Sequence, residues 1–154
     1  MATQYWLMKS EPESYSIEQM KRDKKTLWTG VRNYQARNFM MQNMQLGDQI
    51  LFYHSNAEPP GVAGVIEVSG PAVPDPTAQD PKSEYHDPKA SSDKPIWYCV
   101  EVQFAQAFKR LVPLDEIRSE KTLAKMPLLQ KGQRLSIQPV SESEFRVILK
   151  MAGQ

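Results

Sequence analysis

Between positions 96 and 104 the side chains alternate almost without interruption. Ile96, Tyr98, Val100, Val102 and Phe104 fall on one side, and Trp97, Cys99, Glu101 and Gln103 on the other. A period of two belongs to a β-strand that lays one face on a core, so this chain has to build a sheet with a covered side. Four more stretches rich in β-formers read as strands: 5–9, 49–55, 62–68 and 133–140. Pro59-Pro60-Gly61 provides a turn joining the second and third of these. Gly64 within 62–68 marks a bulge or a close backbone approach.

Helical spacing occupies the intervals. Ser16 with Gln19 forms a capping-box pattern ahead of a short helix carrying Ile17 and Met20 on one face, followed by a turn at 23–25. Asn33 is a good N-cap for a second helix, in which Ala36, Phe39, Met40 and Met44 recur at helical spacing before Gly47-Asp48 closes it. Short helices are predicted at 114–119 and 122–125. Ser141 or Ser143 caps a last helix containing Phe145, Ile148 and Leu149. Residues 71–95, crowded with Pro, Asp, Ser and Lys, form a long loop, and long ordered loops in small domains are often functional. Strands at irregular intervals with interposed helices predict an α+β fold. A curved sheet or small barrel fits them better than a doubly wound sheet, in a single domain over 1–154.

One cysteine among 154 residues rules out an internal disulfide and a cysteine metal cluster, and it suits a reducing compartment. The first residues lack the basic start and apolar run of a signal peptide, and no stretch of about 18 apolar residues would span a bilayer. The expectation is a monomer in the cytoplasm, or in the nucleus of a eukaryote, without membrane contact. Nineteen basic against 18 acidic residues leave a net charge of +1. A protein that grips nucleic acid along many phosphates carries a clearer basic excess, so any such binding should use few phosphates and a pocket.

No Gly-rich phosphate loop, Gly-x-Ser-x-Gly elbow or His-Glu-x-x-His occurs. The only histidines are His54 and His86, too few for a metal site at ligand spacing, and neither metal nor cofactor is expected. Cys99 reads as a small core residue, and the eight methionines as core filler. The candidate chemistry gathers at element ends: Lys9, Ser10 and Glu11 leaving the first strand, Trp28, Thr29, Val31 and Arg32 before the second helix, and Tyr53, His54 and Ser55 at another strand end. Trp97 joins them from the face opposite its strand's apolar row. Indole and phenol rings can sandwich a flat base while hydroxyl and carboxylate groups read its edge. Arginines such as Arg32, Arg37 and Arg134 would meet the flanking phosphates. Each has a plainer reading as well: the two tryptophans as core, the arginines as a solvated face, Lys9 as a strand terminus.

The runs Tyr5-Trp6-Leu7-Met8-Lys9-Ser10-Glu11-Pro12, Trp28-Thr29-Gly30-Val31-Arg32-Asn33-Tyr34-Gln35-Ala36-Arg37-Asn38 and Leu51-Phe52-Tyr53-His54-Ser55-Asn56 resemble the EVE-domain family. The match continues through Gly61-Val62-Ala63-Gly64, Ser83-Glu84-Tyr85-His86-Asp87-Pro88, Pro95-Ile96-Trp97 and Arg134-Leu135-Ser136-Ile137-Gln138-Pro139-Val140, covering nearly the whole chain. The resemblance implies a PUA-like fold, a small and strongly bent β-barrel with helices around it. It also implies kinship with YTH domains, which read methylated adenine in RNA through an aromatic cage. By that kinship Lys9 and Ser10 line the mouth of a pocket, Trp28 forms one wall, and Glu11 reads an edge. Trp97 as the opposite wall follows only from its face. The implied function is a non-catalytic reader of a modified base, chiefly modified cytosine in DNA or a modified base in RNA. Two other readings stay open: an enzyme acting on a nucleotide-like ligand through Lys9, Glu11 and His54, and a protein-interaction domain using the 71–95 loop.

Overall fold

Strand β1 (Tyr5–Ser10) lies one strand in from an edge of the sheet in the computed structural model, which describes residues 2–154. It pairs in parallel with β3 (Gln49–His54) and antiparallel with β8 (Ile137–Val140). Strand β3 pairs with β4 (Gly61–Val68), β4 with β7 (Glu101–Pro113), and β7 with β2 (Lys25–Leu27), all antiparallel. The six strands lie in the order β2-β7-β4-β3-β1-β8 and curl into a half-barrel whose two edges, β2 and β8, do not pair. A separate two-stranded ladder joins β5 (Val73–Pro74) to β6 (Tyr98–Cys99).

Alternation along β1 and β3 divides the core in two. Trp6, Met8, Ile50 and Phe52 turn toward α1 (Ile17–Asp23) and α2 (Tyr34–Asn38), packing with Met20 and Met40. Leu7, Leu51 and Tyr53 turn the other way, toward α3 (Leu114–Ser119) and α4 (Glu142–Met151), packing with Ile117, Phe145 and Ile148. Covering both faces of one sheet with helices makes this an α+β, PUA-like half-barrel in a single domain.

The local signals are obeyed. Ser16 caps α1 and Ser141 caps α4, each in a reciprocal box with the residue three positions on, and Asn33 caps α2 through the Ala36 N–H at 3.0 Å. Such a cap is worth about 0.5–2 kcal/mol. The register slips on both sides of Gly64, and a Cβ there would run into the Gln106 carbonyl, so glycine lets β4 and β7 approach.

Non-local pairing changes the rest. Residues 96–104 are not one strand. Ile96 has φ +64, Tyr98 and Cys99 join the small ladder, and the chain then crosses to the main sheet. Cys99 and Val100 are consecutively buried, which a single half-covered strand does not allow, and the Val100 carbonyl accepts the Trp28 N–H at 2.9 Å. Strand β7 instead runs 13 residues. The turn at 23–25 leads straight into β2, an unforeseen edge strand. The second helix passes into a π-helical turn at Phe39–Asn43, residues 122–125 give way to a 3-10 turn at Lys121–Leu123, and the last strand is confined to Ile137–Val140.

Candidate functional site

Between the two unpaired sheet edges a cleft of about 670 Å³ opens to the surface. Thr26 and Leu27 of β2 line one flank. Ser136, just before β8, lines another with Arg134, and Lys9, Ser10 and Glu11 come from the end of β1. The segment Trp28 to Arg32 follows β2 directly into the cleft, and Ser55, Tyr15 and Tyr85 complete the aromatic and polar lining.

The end of β1 is held in shape by its own polar groups. The Ser10 hydroxyl donates to the Tyr15 carbonyl at 2.6 Å, and the Glu11 carboxylate accepts from the Asn56 amide at 3.0 Å. The Tyr15 hydroxyl donates to Asp23 at 2.7 Å. Burial and that carboxylate push its pKa up to about 12, so it stays a neutral phenol. Burial also lowers the pKa of the Lys9 ammonium.

Trp28 is only 8% exposed and packs edge-on against Phe52, with centroids 5.5 Å apart. The other two indoles donate to carboxylates, Trp6 to Asp48 and Trp97 to Asp87. Among the described residues the Trp28 indole N–H has no hydrogen-bond partner, and Trp28 is part of the cleft lining.

Tyr85 owes its place on the rim to a buried carboxylate. Asp75, completely buried, accepts from the Gly30 N–H at 2.8 Å, the Thr77 N–H at 2.8 Å, the Thr77 hydroxyl at 2.6 Å and the Arg32 guanidinium at 3.1 Å. Burial alone would raise its pKa, but the bonds from Thr77, Gly30 and Arg32 more than reverse this and hold it below the ordinary carboxylate value. Arg32 has five N–H donors and makes five hydrogen bonds: one to Asp75, one to Thr77, one to its neighbour's carbonyl at Val31, and two to the Tyr85 carbonyl at 2.6 and 3.0 Å. Gly30 has φ +86, and a Cβ there would lie 3.0 Å from the Tyr85 ring, so only glycine lets that ring rest on the backbone.

Lys9, Ser10, Glu11, Trp28, Thr29, Val31 and Ser55 are thus brought together, with Arg32 and Arg134 beside them. Four residues singled out in the sequence lie elsewhere. Tyr53 turns into the second core cluster, its ring centroid 6.0 Å from the Lys9 Nζ. His54 is buried, and its Nε2 accepts the Ile17 N–H at 3.2 Å; it holds the start of α1 and is not among the residues lining the cleft. Trp97 is displaced because the chain breaks strand geometry at Ile96. It is 5% exposed and stacks on Tyr34, away from the cleft lining. Arg37 bonds to the Ile96 carbonyl and the Asn38 side chain beside that stack. Arg32 lies at the cleft, but with every donor engaged inside the protein it is a strut and has none left for a phosphate.

Tyr15, Gly30 and Tyr85 were missed as cleft residues, and Asp75 as their anchor. The Asp75-Pro76-Thr77 turn signature was visible, but its charge partner stands 43 positions away. Burial raises the Cys99 thiol to about 12, in keeping with a core role.

The sequence matches the EVE domain family over residues 4–151. The chain belongs to the EVE-domain family. Human thymocyte nuclear protein 1 is 43% identical over 165 residues, covering 96% of this chain and 73% of that protein. The crystal structure of human THYN1 in complex with DNA containing 5-methylcytosine superposes on this EVE domain with a TM-score of 0.90 at 40% identity, covering 99% of both chains. That of a Pseudomonas syringae protein gives 0.93 at 45% identity, covering 96% of this chain and 99% of the other. Among the described residues of the EVE domain, no helix is long and apolar enough to cross a membrane.

Proposed function

We propose that the cleft receives a single modified nucleobase, with 5-methylcytosine in DNA as the leading ligand, and binds it without turning it over. The observation that carries this is Trp28: an indole fixed edge-on against Phe52 that lines an open cleft. Tyr15 and Tyr85 add aromatic surface, and Lys9, Ser10 and Glu11 add polar groups within the same lining. A complex of 5-methylcytosine DNA with a relative that matches this chain over nearly its full length supports the same ligand class. Binding without chemistry is favoured because His54, the natural general base, is committed to the Ile17 N–H and absent from the cleft lining.

Backbone contacts then fall to other cations. Arg134 lines the cleft. Lys21, Arg22, Lys24 and Lys25 are exposed, make no ion pair among the described residues, and lead directly into the cleft residues Thr26 and Leu27.

The test is a titration of matched DNA and RNA single strands carrying cytosine, 5-methylcytosine, 5-hydroxymethylcytosine or N6-methyladenine. Aromatic stacking contributes about 1–3 kcal/mol per base. Trp28→Ala should therefore weaken the preferred strand by about tenfold or more. Equal affinity across the panel, or unchanged binding by Trp28→Ala, removes the proposal.

A further inference from the structure

A file of alternating rings and guanidinium groups leads away from the cleft. Tyr85, on the cleft lining, lies 5.7 Å from the Arg32 guanidinium carbon, and that carbon lies 5.4 Å from the Trp97 ring. Trp97 stacks on Tyr34, with centroids 4.8 Å apart and planes 20° from parallel. Arg37 ends the file, 4.8 Å from Tyr34 and 5.9 Å from Trp97. Those last three separations make a nearly even-sided triangle, so Arg37 stands beside the stacked pair and not across Tyr34 from Trp97. Tyr34 itself is 59% exposed, the most exposed aromatic residue among the described residues, which fits a ring covered by Trp97 on one face and open on the other.

The companions of Tyr34 are rigidly held. The Trp97 indole donates to Asp87 at 2.8 Å, Arg32 spends all five donors internally, and Arg37 is tied to the Ile96 carbonyl at 2.9 Å and to Asn38. An exposed ring backed by a fixed ring is ready to stack without an ordering cost. Three of the five Arg37 donors are engaged, which leaves two N–H groups at its edge for an anion.

We infer that Tyr34 is a second stacking site, taking an ordinary base of the same strand a few nucleotides from the one held in the cleft; this rests on the base-binding reading above. A flat, open π-face accepts any base, and the adjacent guanidinium offers charge to the connecting phosphate. The file from Tyr85 to Tyr34 advances in three steps of less than 6 Å, against roughly 3.4 Å per stacked nucleotide, so a short strand reaches both ends.

The experiment compares the wild-type chain, Tyr34→Ala and Tyr34→Phe on two ligands: a short single strand with a central 5-methylcytosine, and the same strand with abasic flanking positions. Tyr34→Ala should bind the intact strand about tenfold more weakly than wild type and the abasic-flanked strand equally well, while Tyr34→Phe behaves as wild type on both. An equal loss on both strands would make Tyr34 a positioning residue acting through Trp97 and overturn the inference, as would no loss on the intact strand. The cleft reading fails separately, by wild-type protein that does not distinguish 5-methylcytosine from cytosine at the central position.

Discussion

Buried beside Phe52, the His54 ring gives up solvent to accept one backbone N–H. Burial lowers its pKa below the ordinary histidine value, against a weaker opposing pull from Glu18. A depressed folded-state pKa favours the neutral ring, so this contribution to stability is complete above the unfolded value and is lost as pH falls through it. Melting temperature should therefore drop as pH falls below the ordinary histidine value of about 6.5. The drop should be smaller in His54→Gln, whose amide oxygen can still accept the Ile17 N–H but does not titrate. An identical profile in the variant would place the sensitivity elsewhere. Arg32 and Arg37 make a related point about single side chains: Arg32 spends every donor on Val31, Asp75, Thr77 and Tyr85, whereas Arg37 gives three to the Ile96 carbonyl and the Asn38 side chain and keeps two.

At the scale of elements, the 28–32 segment works because of its one glycine. Gly30→Ala would strain a left-handed backbone and press on the Tyr85 ring. It should cost about 1–2 kcal/mol in chemical denaturation and weaken ligand binding as well. Full retention of affinity at reduced stability would detach Tyr85 from the site. What could be read directly from the chain follows the range of the interactions. The caps at Ser16, Asn33 and Ser141 are satisfied within three residues, and the pairing of β3 with β4 needs only a short turn, so local signals sufficed. The cleft residues near Lys9 and Trp28 were legible as polar and aromatic groups at element ends, with the family resemblance adding to that. Strand β2 exists only because β7 lies beside it, and the long reach of β7 only because β4 does. Trp97 was assigned to the wrong surroundings because strict alternation was extended back through Ile96, where the backbone turns left-handed. No periodicity announces that Asp75 will meet Arg32 and carry Tyr85 to the rim.

Across the whole molecule, a net charge of +1 hides an uneven distribution, with the exposed Lys21–Lys25 run leading along the chain into the cleft residues Thr26 and Leu27. On a single strand each phosphate contact contributes about 0.7 to the slope of log affinity against log salt. Lys21→Gln combined with Lys25→Gln should flatten that slope by about one contact or more, leaving the preference for the modified base intact. Arg32→Gln should leave the slope alone and instead remove about 3 kcal/mol of stability, because Asp75 stays buried without its partner. A slope unmoved by the lysine pair would send the strand across another surface. The same opening has a consequence for how such a protein can be improved. Most sheets this curved gain by zipping their last two strands together, which hides every unpaired amide. Here β2 and β8 stand apart with the cleft between them, so selection for robustness and selection for recognition pull on the same seam in opposite directions. Variants chosen only for heat resistance should drift toward a closed cylinder, and with each step toward closure they should lose the ability to read anything at all.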